Sequence, residues 1–354
     1  MSDQTNLNPR PRLISYNFDP EYDRDDGPDA NDLRELNRAV CAGDLERVKR
    51  AIKPETDLTV QFGSSYLADS LLSDAILHSH MHIVGFLLAL GADPATPSCT
   101  SQRQALHDAA ELGNVEAVRL FLDLGADVNS VCETDGFSGG HTTALWLAIH
   151  RGGEMGSRHW PPGADPQRLY TKKWVETIEL LLARGAHFPP RPPSDPYFNP
   201  SFFDPPIPSD EATLLRKALR PRSRALCMSY LNELKASNSI PPNALVIAAQ
   251  SFFVQGVQDL IQEFGYRDES CSALKATSWF PTDDKDVEDI KILVNIARLL
   301  LNSRDDCNLE DIHLVDTLCE FSRVANLELM ALVLDHGVDA NACINGLDKE
   351  TLQH

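Results

Sequence analysis

Apolar and polar positions along this chain fall into short helical bursts, many of them closed by a glycine. In residues 104 to 129, "QALHDAAELGNVEAVRLFLDLGADVN", Leu106, Ala109 and Ala110 put small apolar side chains on one face of a helix. Gly113 stops that helix, because glycine adopts the left-handed backbone that ends helices. Val118, Phe121 and Leu122 then line a second helix, and Gly125 ends it. Helices this short are marginal alone in water. Each has to bury its face against a neighbouring unit, so the pattern predicts a stack of helix pairs.

The stretch "LHSHMHIVGFLLALGAD", residues 77 to 93, shows the same pattern and adds His78, His80 and His82. His78 and His82 are four apart, a spacing that metal sites on helices use. A second explanation comes from register. The unit at 104 to 129 resembles the ankyrin repeat, whose consensus runs T-P-L-H-x-A-A-x-x-G-N-x-x-V-x-x-L-L-x-x-G-A-D-V-N. "ALHDAAELGN" and "VRLFLDLGADVN" follow it position by position. Gly91-Ala92-Asp93 and Leu87-Leu88 fit the same consensus. Gly91 and Gly125 lie a full repeat apart, close to the roughly 33 residues of the family. The resemblance puts His80 just after the turn between the helices, with Ser79 standing in for the turn glycine. His78 and His82 then flank that turn and face solvent. It implies turn residues, not metal ligands.

Further units follow in degraded form. Residues 36–52 read as a first repeat with Gly43 at its turn. "TALWLAIHRG" (143–152) is a first helix, and "WVETIELLLARGAHF" (174–188) is its partner after an insertion. Residues 213–231 and 243–265 give two more, with Asn243 a natural helix N-cap. Residues 287–302 hold a long amphipathic helix with a weak repeat signature, and the pattern returns at 318–341. The fold expected is an all-α, ankyrin-type helical solenoid of about seven or eight degenerate repeats over residues 32–354. The resemblance is strongest from 75 to 188. Residues 1–31, with "DPEYDRDDGPDAND", are acidic and have little to bury, so a disordered N-terminal extension is expected. The closing "DKETLQH" resembles the opening of another repeat. It reads either as a stub covering the last repeat or as the start of more chain.

Insertions in repeat proteins map to loops on one face, often the binding face. Three stand out, at 130–141, 153–172 and 189–210. The last is rich in proline and aromatics. Tyr197, Phe198, Phe202 and Phe203 are candidates for partner contact, or for a lid over the protein's own core. In the ankyrin architecture, first helices and hairpin loops line the groove. That resemblance places Asp108, Glu111, Leu147, His150 and Arg151 there, with Tyr197 and Phe198 from the loop. Trp146 replaces the histidine of the consensus and either faces the groove or packs between repeats. "RKALRPRSR" carries Arg216, Lys217, Arg220, Arg222 and Arg224. It reads as an arginine-rich site for an acidic segment or as a solvated helix face.

Charge narrows the partners. The 354 residues carry 52 acidic against 32 basic side chains, a net charge of −20. Such a surface repels phosphate backbones and anionic lipid. Neither nucleic acid nor membrane is expected as a partner, and an acidic groove favours a basic or amphipathic protein segment. The eight cysteines include no C-x-x-C pair, so zinc knuckles and thioredoxin-type motifs are excluded. They read as reduced, mostly buried thiols of a cytoplasmic protein, with the nucleus also open. "GFSGG" (136–140) matches the G-x-S-x-G elbow, but the polar "VCETD" before it is no strand of a hydrolase sheet. No catalytic role for Ser138, no cofactor and no metal are expected. The function implied by the resemblance is protein–protein recognition by an adaptor. Two alternatives stay open. One is an enzyme or small-molecule site formed by Trp146, His150, His159 and Trp160 in the fourth repeat. The other is a targeting domain of a longer protein.

Overall fold

The structure, a computed structural model, describes residues 28–53, 61–62, 69–97, 103–133, 141–154, 172–188, 211–278, 287–304, 312–323 and 326–339. The chain divides into two compact units, 1–209 and 210–354. The division falls at the end of the third insertion.

In the first unit the helices come in four pairs: α1 (Pro28–Ala42) with α2 (Leu45–Ala51), α3 (Leu71–Leu77) with α4 (Met81–Ala89), α5 (Ala105–Glu111) with α6 (Val115–Asp123), and α7 (Ala144–Glu154) with α8 (Lys172–Ala183). First helices pack on first helices, α1 on α3, α3 on α5 and α5 on α7. Two short antiparallel pairings occur between repeats, β1 (Gln61–Phe62) with β2 (Asp69–Ser70) and β3 (Val131–Glu133) with β4 (His141–Thr143). The second pairing closes the base of the 130–141 insertion, with Val131 opposite Thr143.

The second unit repeats the plan: α9 (Glu211–Leu219) with α10 (Arg224–Ala236), α11 (Ala244–Gln250) with α12 (Val254–Gln262), α13 (Ser272–Ala276) with α14 (Val287–Asn302), and α15 (Ile312–Arg323) with α16 (Leu327–Asp335). Its first helices stack as α9, α11, α13 and α15. The helical-repeat fold expected from sequence is therefore present, in eight described helix pairs. α1 begins at Pro28, inside the stretch expected to be an extension. Asn243 does stand at the N-cap of α11, yet its side chain makes no capping bond.

The turns within pairs explain why the units close so tightly. Gly43 (φ 74°) and Gly113 (φ 63°) both sit in the left-handed region. A Cβ on Gly43 would lie 2.7 Å from the His80 ring, and one on Gly113 would lie 3.0 Å from the Trp174 ring. Backbone and space thus both demand glycine there. Ser79, Arg222 and Phe252 hold the same turn position with φ of 59°, 56° and 52°. These residues accept a conformation that costs an L-residue about 1–2 kcal/mol. The second helices are capped by polar side chains just after the turn. Asp44 accepts from the Arg47 amide at 3.0 Å and Asn114 from the Ala117 amide at 3.1 Å. At the far ends, Gly91 and Ala92 bond back to Leu88 and Leu87, and the same pair of bonds recurs at Gly125 and at Gly185. This is the Schellman closure that the G-A-D signature encodes.

One expectation about the cysteines fails. Cys132, Cys227 and Cys271 are buried free thiols and Cys41 is a half-buried one. Cys319 on α15, however, is disulfide-bonded, and its partner lies outside the described residues. The chain is therefore not uniformly reduced. Burial pushes the Cys132 and Cys227 thiols up to about 12, which makes them poor nucleophiles.

Candidate functional site

The first helices of the first unit carry a row of polar groups tied from each repeat to the next. Asn37 of α1 donates to Asp74 of α3 at 2.5 Å, and Ser73 of α3 donates to Asp108 of α5 at 2.6 Å. Asp108 also accepts from the Arg103 Nε at 3.0 Å, and Arg103 reaches on to Glu111. Burial works against the Arg103 cation, but Asp108 and Glu111 more than offset it and hold it charged. Burial also pushes the Asp74 carboxyl up to about 6, opposed by the hydrogen bond from Asn37. The Asn37–Asp74 and Ser73–Asp108 links join residues 37 and 35 positions apart, so they form only once the repeats are stacked, whereas Arg103 binds Asp108 and Glu111 within its own repeat.

His107 anchors the start of α5. Its Nδ1 accepts from the Gln104 amide at 3.1 Å, so its Nε2 donates to the Ser130 carbonyl at 3.0 Å. Burial lowers the ring to about 4, which keeps it neutral in this role. The three histidines of 78–82 also bond to backbone. His78 meets the Asp74 carbonyl at 2.9 Å, His80 the Cys41 carbonyl at 3.1 Å and His82 the Gly43 carbonyl at 3.1 Å. The His78 and His80 rings stack at 6.0 Å, and the His80 and His82 rings meet edge to face at 5.9 Å. His78 and His82 are exposed beside the turn and His80 is half-buried. No group of three potential ligands that could hold a metal occurs among the described residues.

The candidate contact residues divide sharply by exposure. Asp108 is 6% exposed and Glu111 half-buried, both in the Arg103 network. Leu147 is 2% exposed, and Trp146 is fully buried, so Trp146 packs between repeats. His150 is 7% exposed, with its ring 6.3 Å from that of Trp146. Arg151 lies on α7, while Tyr197, Phe198, Phe202, Phe203, Ser138, His159 and Trp160 fall outside the described residues. Two residues that sequence reasoning missed complete the row. Arg103 precedes the repeat consensus, so no motif position marks it. Leu77 occupies on α3 the register of Glu111 on α5, counted back from Ser79 and Gly113, and is 43% exposed. An apolar residue at a consensus-variable position with solvent around it was the available signal.

In the second unit, Arg224 grips the buried carboxylate of Asp259 through two bonds of 3.1 and 3.0 Å. Arg222 lies over the Phe252 ring at 5.8 Å, and Arg216 donates to Gln250 at 3.1 Å. The basic stretch is thus partly structural. No helix among the described residues is long and apolar enough to cross a membrane.

No curated protein matches the chain. Residues 36–132 match the family model for ankyrin repeats, in three copies. That span covers three helix pairs, from within α1 through α6 to β3. Residues 36–132 are thus ankyrin repeats, and all three matched copies lie in the first unit.

Proposed function

We propose that the chain is a protein-recognition adaptor and that the first-helix face of its first unit receives a basic or amphipathic segment of a partner protein. Ankyrin repeats are in general protein–protein interaction modules. The observation that carries the reading is the pre-formed Ser73–Asp108–Arg103–Glu111 network with exposed Leu77 beside it. Such a row holds charge in place before any partner arrives, so little ordering remains to be done on binding. Leu77 offers apolar contact, and Glu111 offers a carboxylate at the register of Leu77 one repeat on. Trp146 and Leu147 are buried and take no part in this contact. The loop residues Tyr197 and Phe198 belong to the proposal as a second contact, and the reading includes no catalytic step. The cytoplasm, or the nucleus, is the compartment it implies.

Affinity capture with the full chain tests it, comparing wild type with Leu77→Glu, Glu111→Lys and a form lacking residues 190–208. Loss of a captured protein in the two point variants places the site on the first-helix face. Loss only in the deletion moves it to the loop. Capture unchanged in all three variants would overturn both contacts.

A further inference from the structure

Consecutive first helices of the first unit repeat one bond. Counted back from the turns at Gly43, Ser79 and Gly113, the side chain six positions before one turn donates to the aspartate five positions before the next. Asn37 does so to Asp74 at 2.5 Å, and Ser73 to Asp108 at 2.6 Å. Asp74 and Asp108 thus hold the same place on α3 and α5, but they differ in what they meet. Asp108 is buried and already holds the Arg103 cation. Asp74 is partly exposed and has no ion-pair partner among the described residues. Its Oδ2 takes the Asn37 amide, while its Oδ1 takes no hydrogen bond among them. An ionised carboxylate accepts at about four lone-pair sites, so Asp74 has capacity left. Exposed Leu77 lies three residues on and shares its face of α3.

We propose that Asp74 is the carboxylate that receives a lysine or arginine of the partner segment, and that mild acid releases the partner by protonating it. This rests on the first-helix reading above, in which Leu77 and Glu111 take the same segment. The surroundings of Asp74 poise it to change charge. Burial pushes its carboxyl up to about 6, with Asp108 on α5 adding to the rise, while Asn37 and His78 favour the ionised form. Cys41 on α1 faces it as well, and the carboxylate helps to hold that thiol protonated. On α4, which packs against α3, the only titratable side chain is His82, whose ring meets the Gly43 carbonyl. Strand β2 carries Asp69. A cation set against Asp74 favours its ionised form. By linkage, the complex then weakens as pH falls through the titration of the free carboxyl. Complete loss of the contact on protonation corresponds to about tenfold in affinity between pH 7 and pH 5.

The test is fluorescence anisotropy of a labelled amphipathic peptide of leucine and lysine, titrated with the full chain at pH 7 and at pH 5. Wild type binds about tenfold more weakly at pH 5. Asp74→Asn binds more weakly than wild type at pH 7 and loses most of the pH dependence, while Asp74→Glu keeps it. Glu116→Gln, which removes an exposed carboxylate on α6, matches wild type at both pH values. Leu77→Glu and Glu111→Lys weaken binding at both and keep the ratio between them. Circular dichroism checks that each protein is folded at pH 5. If Asp74→Asn is not, calorimetry on wild type at pH 6, in two buffers of different ionisation enthalpy, counts protons instead. About half a proton is released per peptide bound. Equal pH ratios in wild type and Asp74→Asn, an equal loss in Glu116→Gln, or no proton release would overturn the proposal, even where the Leu77 and Glu111 variants uphold the first-helix reading. Unchanged binding in those two variants refutes that reading, and an altered ratio in Asp74→Asn then still supports Asp74 as the cation acceptor. Absence of wild-type binding at pH 7 overturns both.

Discussion

Ser73 and Asp108, 35 residues apart, meet through a 2.6 Å hydrogen bond between consecutive first helices. The same carboxylate holds Arg103, whose side chain is only 26% exposed. Asp108→Ala leaves that cation and the Ser73 hydroxyl behind in a partly buried site. The expected loss is about 1–3 kcal/mol, because a largely buried cation loses one of its two carboxylates and the Ser73 hydroxyl loses its acceptor. Asp108→Asn keeps the acceptor for Ser73 and loses less. Urea unfolding of the two variants gives the comparison, and equal losses would mean that the charge contributes nothing.

Two groups in this row respond oppositely to acid. Asp74 titrates near 6 when folded, above its unfolded value, so protonation favours the folded state as pH falls from 6 toward 4. His107 titrates near 4 when folded, below its unfolded value of about 6.5. Its contribution is complete above 6.5 and is lost as pH falls toward 4. Each effect reaches at most about 3 kcal/mol, and they offset one another over the shared window. Asp74→Asn removes one arm, so stability then falls more steeply with acid than in wild type. His107→Gln removes the other and tilts the profile the opposite way. Thermal unfolding across pH 4 to 7 reads both slopes, and parallel profiles for the three proteins would refute the assignment.

Gly43→Ala is expected to cost on the order of 1–3 kcal/mol. The substitution combines a left-handed backbone with a Cβ set against the His80 ring. At Ser79, where the same conformation is held by a residue with a side chain, Ser79→Gly should be neutral or mildly stabilising. Paired denaturation curves check the contrast. Two losses of similar size would show that strain at the turn is not the cause.

Asn129 holds the third repeat to the fourth. Its amide donates to the Gly185 carbonyl at 3.0 Å and its oxygen accepts from the His187 amide at 3.1 Å. Asn129→Ala breaks both links and should cost about 1–2 kcal/mol. Hydrogen exchange localises the effect: the amides of α8 lose protection first, while those of α3 and α4 keep theirs.

The parts of the fold legible in sequence were those written in local chemistry. Gly91, Gly125 and Gly185 end second helices in place, and Asp44 and Asn114 cap the starts of second helices within three residues. What stayed hidden was either non-local or inverted a local rule. α13 is five residues long and begins after Cys271 at φ 54°, so neither length nor cap announces it. Its partner α14 looked like a lone amphipathic helix because an insertion separates the two. Arg103 pairs locally with Asp108 and Glu111 but precedes the repeat consensus, so no motif position marks it. Register correctly put Leu147 and His150 on a first helix, but it carries no information about how deeply neighbouring repeats bury that helix.

The packing within each unit joins every helix pair to its sequence neighbours, with first helices on first helices throughout. Such a body has no keystone. Pulled from its ends, each unit should give way pair by pair, in steps of about one repeat, not in a single rupture. A protein of this kind can yield an outer repeat under tension and recover it, while the inner repeats stay intact.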